Sequence, residues 1–224
     1  MMLKLEKIKD IARNHVPKPV GDWHYYSVLL PLVEKGGELH VLYELRSSSL
    51  EVQPGEVSFP GGGIEKGETP YRTAIRETVE ELGIHEGAIE IVSELDYLIS
   101  YGNRKLHCFL GVIEACALDK AEINISEVET FFLVPLAWLM ENDPDIYDNR
   151  IIQEPAAGLP LEKLGAARAY RWRPRTSAIP VYLWQDPLTS QEFAIWGMTA
   201  QLTMAFVELL RNEEGRISMS PTTM

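Results

Sequence analysis

Apolar residues alternate with polar ones in some stretches of the chain and recur every three or four positions in others. The first two strand-like runs cover residues 25–34 and 38–46, and Lys35, Gly36 and Gly37 between them favour a hairpin turn. Further segments have strand-like composition: residues 88–100, 105–115, 130–134, 146–153 and 181–184, with a turn at 101–104 between the first two. The pattern predicts a chain rich in sheet, with a few helices inserted.

Helical spacing marks both ends of the chain. Leu5, Ile8 and Ile11 recur among lysines, and Pro17 and Pro19 stop this short amphipathic helix. We expect it to pack on the domain or on a second subunit rather than on a membrane. A second helix is predicted from residue 195 to residue 210, and the polar tail after it should fray. Its expected core residues are Trp196, Leu202, Met204, Ala205, Phe206, Leu209 and Leu210.

The helix predicted at residues 70–82 has the clearest boundary signals. Thr69 is a favoured N-cap residue, Pro70 suits the first helical position, and Gly83 suits the position just after the end. One side of this helix is apolar and the other acidic: Ile75, Val79 and Leu82 lie nearly opposite Glu77, Glu80 and Glu81.

The acidic face is unfavourable for an isolated helix. Glu77 and Glu81 are four residues apart, and their repulsion costs about 0.2–0.5 kcal/mol. Glutamates in the last turn also oppose the helix dipole, at about 0.3–1 kcal/mol. A hard divalent cation would turn this repulsion into ligation. The alternative is a solvated acidic surface, as on most charged helix faces.

The residues around this helix follow a fixed spacing: Gly62, Glu68, Arg76, Glu77, Glu80, Glu81, Gly83 and the apolar Ile84. The spacing resembles the signature of the Nudix hydrolases. Thr78 departs from it, because an aliphatic or small residue is usual there, and we expect an effect on packing only. The resemblance implies an α/β fold with a mixed central sheet between helices and added terminal helices. It also implies hydrolysis of a nucleoside diphosphate linked to another group, using Mg²⁺ or Mn²⁺.

The same resemblance assigns expected roles to the charged residues of the signature. Glu77 and Glu81 would be the principal metal ligands, and Glu80 would assist them. Arg76 and Glu68 would orient these carboxylates rather than contact the substrate. Divalent ions would neutralise the phosphate oxygens and acidify a bound water.

Glycines and a late glutamate complete the expected site. Gly61, Gly62 and Gly63 lack Cβ atoms, so their backbone can approach a metal ion or a phosphate closely. We expect metal contact at Gly61 and substrate contact at Gly62 and Gly63. Nudix enzymes often place another acidic residue late in the domain, as a ligand or a water-activating base. Glu127 is the candidate here, with Glu129 as the second choice, and a surface glutamate is the alternative.

The stretch before the glycines resembles a narrower signature found in coenzyme A pyrophosphatases. The matching positions are Arg46, Ser47, Leu50, Gly55, Val57 and residues 59–62. Residues 127–135 and 195–200 also resemble late segments of that subgroup. The resemblance implies coenzyme A or its thioesters as substrate, with 3′,5′-ADP and 4′-phosphopantetheine or an acyl derivative as products. Arg46 and Phe59 would then contact the substrate, although Arg46 could also form a strand-end salt bridge.

Three positions differ from the subgroup: Glu51 replaces a usual Arg or Lys, Gln53 a common His, and Glu56 a common Gln. The change at Glu51 reverses the charge expected near a phosphate. It keeps open a second hypothesis, a Nudix hydrolase of ADP-ribose or another nucleoside diphosphate derivative. A non-catalytic nucleotide-binding sensor is a further alternative.

Two basic segments are further candidates for phosphate contact. Arg104 and Lys105 lie at a turn, where solvated charges are the alternative. Residues 168–175 combine four arginines with two aromatic residues, which suits phosphate and adenine binding or, alternatively, a charge-compensating strand or dimer contact.

Composition limits the class of protein. The chain has 224 residues, 46% of them hydrophobic and 24% charged, and a net charge of −12. This charge argues against broad nucleic-acid binding or an anionic membrane surface. We expect residues 1–20 to be an extension, 21–212 the catalytic domain and 213–224 a polar tail. Cys108 and Cys116 lack ligand-like spacing, so we expect them to be buried in a reduced, cytoplasmic protein, which could form a homodimer.

Overall fold

The computed structural model describes residues 4–100, 102–152, 163 and 175–219. Its helices are α1 (Leu5–Arg13), α2 (Pro70–Leu82), α3 (Ala115–Leu118), α4 (Leu136–Glu141) and α5 (Gly197–Met219), with a 3₁₀ turn at Glu86–Ala88. Its strands are β1 (His24–Lys35), β2 (Glu38–Arg46), β3 (Val57–Ser58), β4 (Gly61–Gly63), β5 (Ile89–Glu94), β6 (Leu98–Ser100), β7 (Arg104–Ile113), β8 (Val128–Pro135), β9 (Asp145–Ile151), β10 (Arg175–Gln185) and β11 (Glu192–Trp196).

The central sheet is mixed. Its strand order is β3-β2-β1-β7-β5. In addition, β4 pairs with β1, β6 with β7, and β8 with β2. β1 and β7 are parallel, whereas the other pairs in this sheet are antiparallel. Gly36 and Gly37 have positive φ angles, as a tight hairpin turn requires, so the predicted β1–β2 hairpin is confirmed.

Two hydrophobic cores lie on opposite faces of this sheet because successive strand residues point to opposite sides. On one face, Leu29 of β1 packs with Ala74 and Leu82 of α2. On the other, Leu30 belongs to a core that includes Phe206 of α5. A second antiparallel sheet, ordered β11-β10-β9, also covers this face. The predicted α/β class, with a mixed sheet between helices, is confirmed, and α5 is part of the core rather than an outer addition.

The predicted bounds of α2 are confirmed. The Thr69 hydroxyl accepts a hydrogen bond from the Arg72 amide at 3.3 Å, which caps the first turn. Gly83 ends the helix with φ of +63°. A Cβ at this position would strike the carbonyl of Glu122, so both the backbone angle and the packing require glycine.

Several local predictions are wrong. The segment at 88–100 is not one strand but β5 and β6, because residues 95–97 between them are not in a strand; a bulge between Ile91 and Ser93 lies within β5. Residues 195 and 196 end β11, where they pair with β10, so α5 begins two residues later than predicted. The helix also continues to residue 219 instead of ending before a frayed tail.

Three burial expectations also fail. Trp196 and Leu209 are 41% and 48% exposed, and Cys116 is exposed, whereas Cys108 is buried as expected. No residue of α1 is buried, so this helix does not pack on the domain, and its packing on a second subunit stays a prediction.

Of the basic cluster at 168–175, only the backbone of residue 175 lies within the described residues. Among the described helices, none is long and apolar enough to cross a membrane.

Candidate active site

The glycines of β4 bring the backbone close to both β1 and α2. Gly61 pairs with Val28, and a Cβ on Gly61 would lie 2.6 Å from the Val28 Cα. A Cβ on Gly62 would overlap the carboxylate of Glu77. The Gly61 amide donates a hydrogen bond to Glu81 Oε2 at 2.8 Å. The absence of side chains on β4 therefore allows two carboxylates of α2 to reach the backbone.

Glu81 is buried, with 3% of its surface exposed, so the acidic face of α2 is not a solvated surface. Burial raises the pKa of Glu81 to about 8, and the nearby Glu77 carboxylate adds to this effect. The hydrogen bond from the Gly61 amide opposes it. Without a cation, this site therefore holds a carboxyl group that resists ionisation.

Arg76 holds the other glutamates of the signature. Its guanidinium contacts Glu68 through two hydrogen bonds of 3.0 Å. It also pairs with Glu77 at 2.9 Å and Glu80 at 3.0 Å. The hydrogen bonds from Arg76 and from the Thr73 hydroxyl lower the pKa of Glu68 to about 2. These contacts suit the orienting role expected for Arg76 and Glu68.

The three glutamates of α2 have different environments. The side chain of Glu80 is 54% exposed, whereas that of Glu77 is 15% exposed. Burial raises the pKa of Glu77, although the Arg76 charge opposes this shift. Glu77 and Glu81 are therefore enclosed, and Glu80 lies at the solvent edge of the site.

Sequence reasoning missed a fourth carboxylate, that of Glu44 on β2. It is 1% exposed and lies on the α2 side of the sheet, where Glu81 is also buried. Burial raises the pKa of Glu44, and repulsion from Glu81 raises it further. The available signal was a charged residue inside the otherwise apolar run of residues 41–45, since glutamate is rarely fully buried.

Glu127 faces the same cluster from the start of β8. Its backbone carbonyl accepts a hydrogen bond from the Ser47 amide at 2.8 Å, next to Arg46. Its carboxylate contributes to the raised pKa values of Glu44, Glu77 and Glu81. Glu129, the second choice, is exposed. The structure therefore brings Glu127 to the glutamates of α2.

The donor set fits a hard divalent cation. Carboxylate oxygens of Glu77 and Glu81, with the backbone of Gly61, are the ligand types that Mg²⁺ and Mn²⁺ prefer. One oxygen of the buried Glu44 has no hydrogen-bond partner. Among the residues that the structure describes, no three acidic, imidazole or thiol side chains form a group that could hold a metal ion. In this arrangement, Arg76 forms ion pairs with the carboxylates of Glu77 and Glu80.

A cavity of about 430 Å³ opens beside β4. Its lining includes Arg46, Phe59, Gly61, Gly62, Arg104 and Trp196. Phe59 is only 3% exposed and stacks on Tyr43 at 5.0 Å, so it forms a wall of the cavity. Gly63 does not line it.

The charged residues near this cavity differ in whether they line it and whether they already have a partner. Within the described part of the chain, no carboxylate pairs with Arg46, and its buried Nε has no partner. The salt bridge considered for Arg46 is therefore not formed with any described residue. Glu51 is exposed and does not line the cavity. Lys105 lies over the Tyr97 ring at 4.2 Å, whereas Arg104 lines the cavity.

Comparisons with known proteins agree with this geometry. A profile of the NUDIX domain matches residues 23–155, and the chain belongs to this family. The mouse "Peroxisomal coenzyme A diphosphatase NUDT7" is 29% identical over 80% of this chain and 67% of that protein. In Caenorhabditis elegans, "Nudix hydrolase 3" is 34% identical over 61% of this chain and 59% of that protein. The nematode "Peroxisomal coenzyme A diphosphatase ndx-8" is 37% identical over 51% of this chain and 50% of that protein.

Solved structures with related folds are more distant. The NUDIX domain of Shewanella oneidensis NrtR, complexed with ADP ribose, is 20% identical with a TM-score of 0.42, covering 71% of this chain and 96% of that one. A C. elegans Ap4A hydrolase binary complex is 19% identical with a TM-score of 0.43, covering 52% of this chain and 83% of that one. The family resemblance carried by the signature residues is confirmed.

Proposed function

We propose that this protein is a divalent-metal-dependent pyrophosphohydrolase of coenzyme A or its thioesters. The products would be 3′,5′-ADP and 4′-phosphopantetheine or its acyl derivative. The observation that carries the proposal is the enclosed Glu77–Glu81 pair beside the glycines of β4, which border a cavity that reaches Arg46. The coenzyme A diphosphatases among the relatives support this choice of substrate.

In the proposed site, Glu77 and Glu81 hold Mg²⁺ or Mn²⁺, assisted by Glu80 and the backbone of Gly61. Such a cation neutralises phosphate charge and acidifies a bound water when it is present. Arg76 keeps Glu77 and Glu80 in place through its ion pairs, and Glu68 fixes Arg76. Binding of the cation requires the carboxyl group of Glu81 to lose its proton, so burial couples metal affinity to pH.

Glu127 is the proposed base. It approaches the cluster from β8, on a different element from the helix glutamates, and it is only partly buried. From that position, its carboxylate would accept a proton from the attacking water. A base near the bond to be cleaved needs access to water, which the buried Glu81 lacks.

Substrate would occupy the cavity beside β4. Arg46 and Arg104 supply positive charge for phosphate groups, and Gly61 and Gly62 line the same cavity. Val28, Met198 and Leu202 line its apolar part, where adenine or pantetheine could pack. Of the three departures from the coenzyme A subgroup, Glu51 lies outside the cavity, whereas Gln53 and Glu56 line it.

A substrate panel tests the proposal. Purified protein is incubated with Mg²⁺ or Mn²⁺ and with coenzyme A, an acyl-coenzyme A, ADP-ribose, dinucleotides or nucleoside triphosphates, and the products are identified by mass spectrometry. We expect release of 3′,5′-ADP from coenzyme A as the fastest reaction. Faster turnover of ADP-ribose would contradict the substrate assignment. Tight nucleotide binding without turnover of any compound would contradict the activity and favour a sensor.

A further inference from the structure

Glu44 is on the same face of the central sheet as α2. Leu42, two residues earlier on β2, packs in the core beneath α2, and residues two apart on a strand share a face. Glu44 itself pairs in the sheet with Ser58 of β3 and Phe131 of β8. Its carboxyl group therefore lies on the α2 side of the sheet, where Glu81 is also buried.

This carboxyl group is poorly satisfied by its protein neighbours. Only 1% of Glu44 is exposed, and its Oε1 has no hydrogen-bond partner. The other groups that influence it are Glu81, Glu127 and Arg46, two of which are acidic. An unpartnered buried polar group is normally avoided in a folded protein, because it loses its hydration without compensation. An apolar residue would fill this core position without that loss.

A divalent cation would satisfy the group. Two neighbouring carboxylates repel each other unless a proton or a cation lies between them. Glu81 is already a proposed ligand, and Glu44 is buried on the same side of the sheet but belongs to a second structural element. Ligands from α2 and β2 would hold a cation between a helix and the sheet, which fixes a site more firmly than neighbouring residues of one helix.

We propose that Glu44 is an additional metal-ligating residue, contributed by β2 and sharing the cation with Glu81. The inference rests on the proposed function, because it takes the cation to be the one bound by the helix glutamates. Two observations support it: Glu44 and Glu81 are both buried between β2 and α2, and the Glu44 Oε1 atom has no hydrogen-bond partner.

Metal binding, rather than activity, is the direct test. Mn²⁺ alone is titrated into wild-type protein and the Glu44→Gln, Glu81→Gln and Glu38→Gln variants, and free Mn²⁺ is measured by electron paramagnetic resonance. Glu38 is the matched control, because it is on the same strand but exposed. We expect Glu44→Gln to weaken Mn²⁺ binding by about tenfold or more, as Glu81→Gln should, and Glu38→Gln to leave it unchanged.

The outcomes separate the two proposals. Normal Mn²⁺ binding by a folded Glu44→Gln variant, with weakened binding by Glu81→Gln, would overturn the role of Glu44 and leave the proposed function standing. Unchanged binding in both variants would contradict the metal site itself. If Glu44→Gln does not fold, Glu44→Asp keeps the charge but withdraws it by one methylene group. A weaker Mn²⁺ complex in that variant supports the inference, and an unchanged complex overturns it.

Discussion

The buried Glu81 predicts opposite effects of one substitution on stability and on catalysis. Glu81→Gln removes the ionisable group but keeps nearly the same shape, and its amide oxygen can still accept the hydrogen bond from Gly61. We expect the variant to be more stable than wild type in the absence of metal at alkaline pH. We also expect it to lose most of its activity, because the proposed ligand is absent.

The magnitude follows from the pKa of Glu81. Its pKa in the folded protein is about 8, against an ordinary value of 4.5 for a glutamate. Each pKa unit corresponds to about 1.4 kcal/mol. Because the folded state holds the proton more tightly, the stabilising contribution is fully present below about pH 4 and is lost as pH rises through about 8. The upper limit of this loss is about 5 kcal/mol.

The expected gain in the variant is smaller than this limit. Glu44 stays buried beside the substituted side chain, and relaxation with entry of water reduces the penalty for an ionised group. We therefore expect Glu81→Gln to stabilise the metal-free protein by about 2 kcal/mol at about pH 9. For a domain of this size, that gain raises the Tm by about 4–8 °C. At about pH 5 the two proteins should unfold at similar temperatures.

Thermal unfolding followed by circular dichroism in the presence of EDTA measures these differences. The exposed Glu38→Gln variant controls for the loss of one negative charge. A double-mutant cycle with Glu44→Gln should show non-additive gains, because each substitution relieves the same repulsion. A pH-independent Tm for the wild type, or a lower Tm for Glu81→Gln at alkaline pH, would refute the reasoning from burial.

Three other substitutions test separate parts of the structure. Glu68→Gln should lower the free energy of unfolding by about 1–3 kcal/mol at neutral pH, as measured by urea unfolding. This difference should disappear as pH falls toward about 2, where wild-type Glu68 becomes protonated. Gly83→Ala should cost about 2 kcal/mol or more in the same assay, because of its φ of +63° and the nearby Glu122 carbonyl. Arg46→Ala should raise KM for coenzyme A about tenfold or more in steady-state assays, because Arg46 lines the cavity. The control Arg72→Ala removes an exposed ion pair with Glu86 and should leave KM unchanged. Equal KM values in the two variants would contradict phosphate binding by Arg46.

Local chemistry made α2 predictable to the residue. The N-cap at Thr69, the proline after it and the glycine at residue 83 each act within one helical turn, so the chain itself carries the boundaries. The hairpin at Gly36 and Gly37 was predictable for the same reason.

Burial at the site could not be predicted from the helix alone. A helical wheel gives the angle between Glu81 and the apolar residues but not what covers the acidic side. That cover comes from β2 and β4, which are distant in the sequence, and it explains why Glu44 was missed. Arg46 was identified from its motif, but only the three-dimensional structure shows that no carboxylate among the described residues pairs with it.

Tertiary pairing also decided the start of α5. Ile195 and Trp196 suit either a helix or a strand by composition, and the pairing of β11 with β10 makes them a strand. The homodimer, the cytoplasmic location and the domain bounds stay predictions.

The most direct measurement of the central claim is the rate of coenzyme A cleavage as a function of Mg²⁺ or Mn²⁺ concentration for wild type, Glu81→Gln and Glu38→Gln. We predict that EDTA abolishes wild-type turnover and that added metal restores it. Glu38→Gln should behave as wild type, and Glu81→Gln should be slower by about 100-fold or more at saturating metal. Turnover that survives removal of metal, or a near-normal rate in Glu81→Gln, would contradict catalysis by a cation held between these carboxylates.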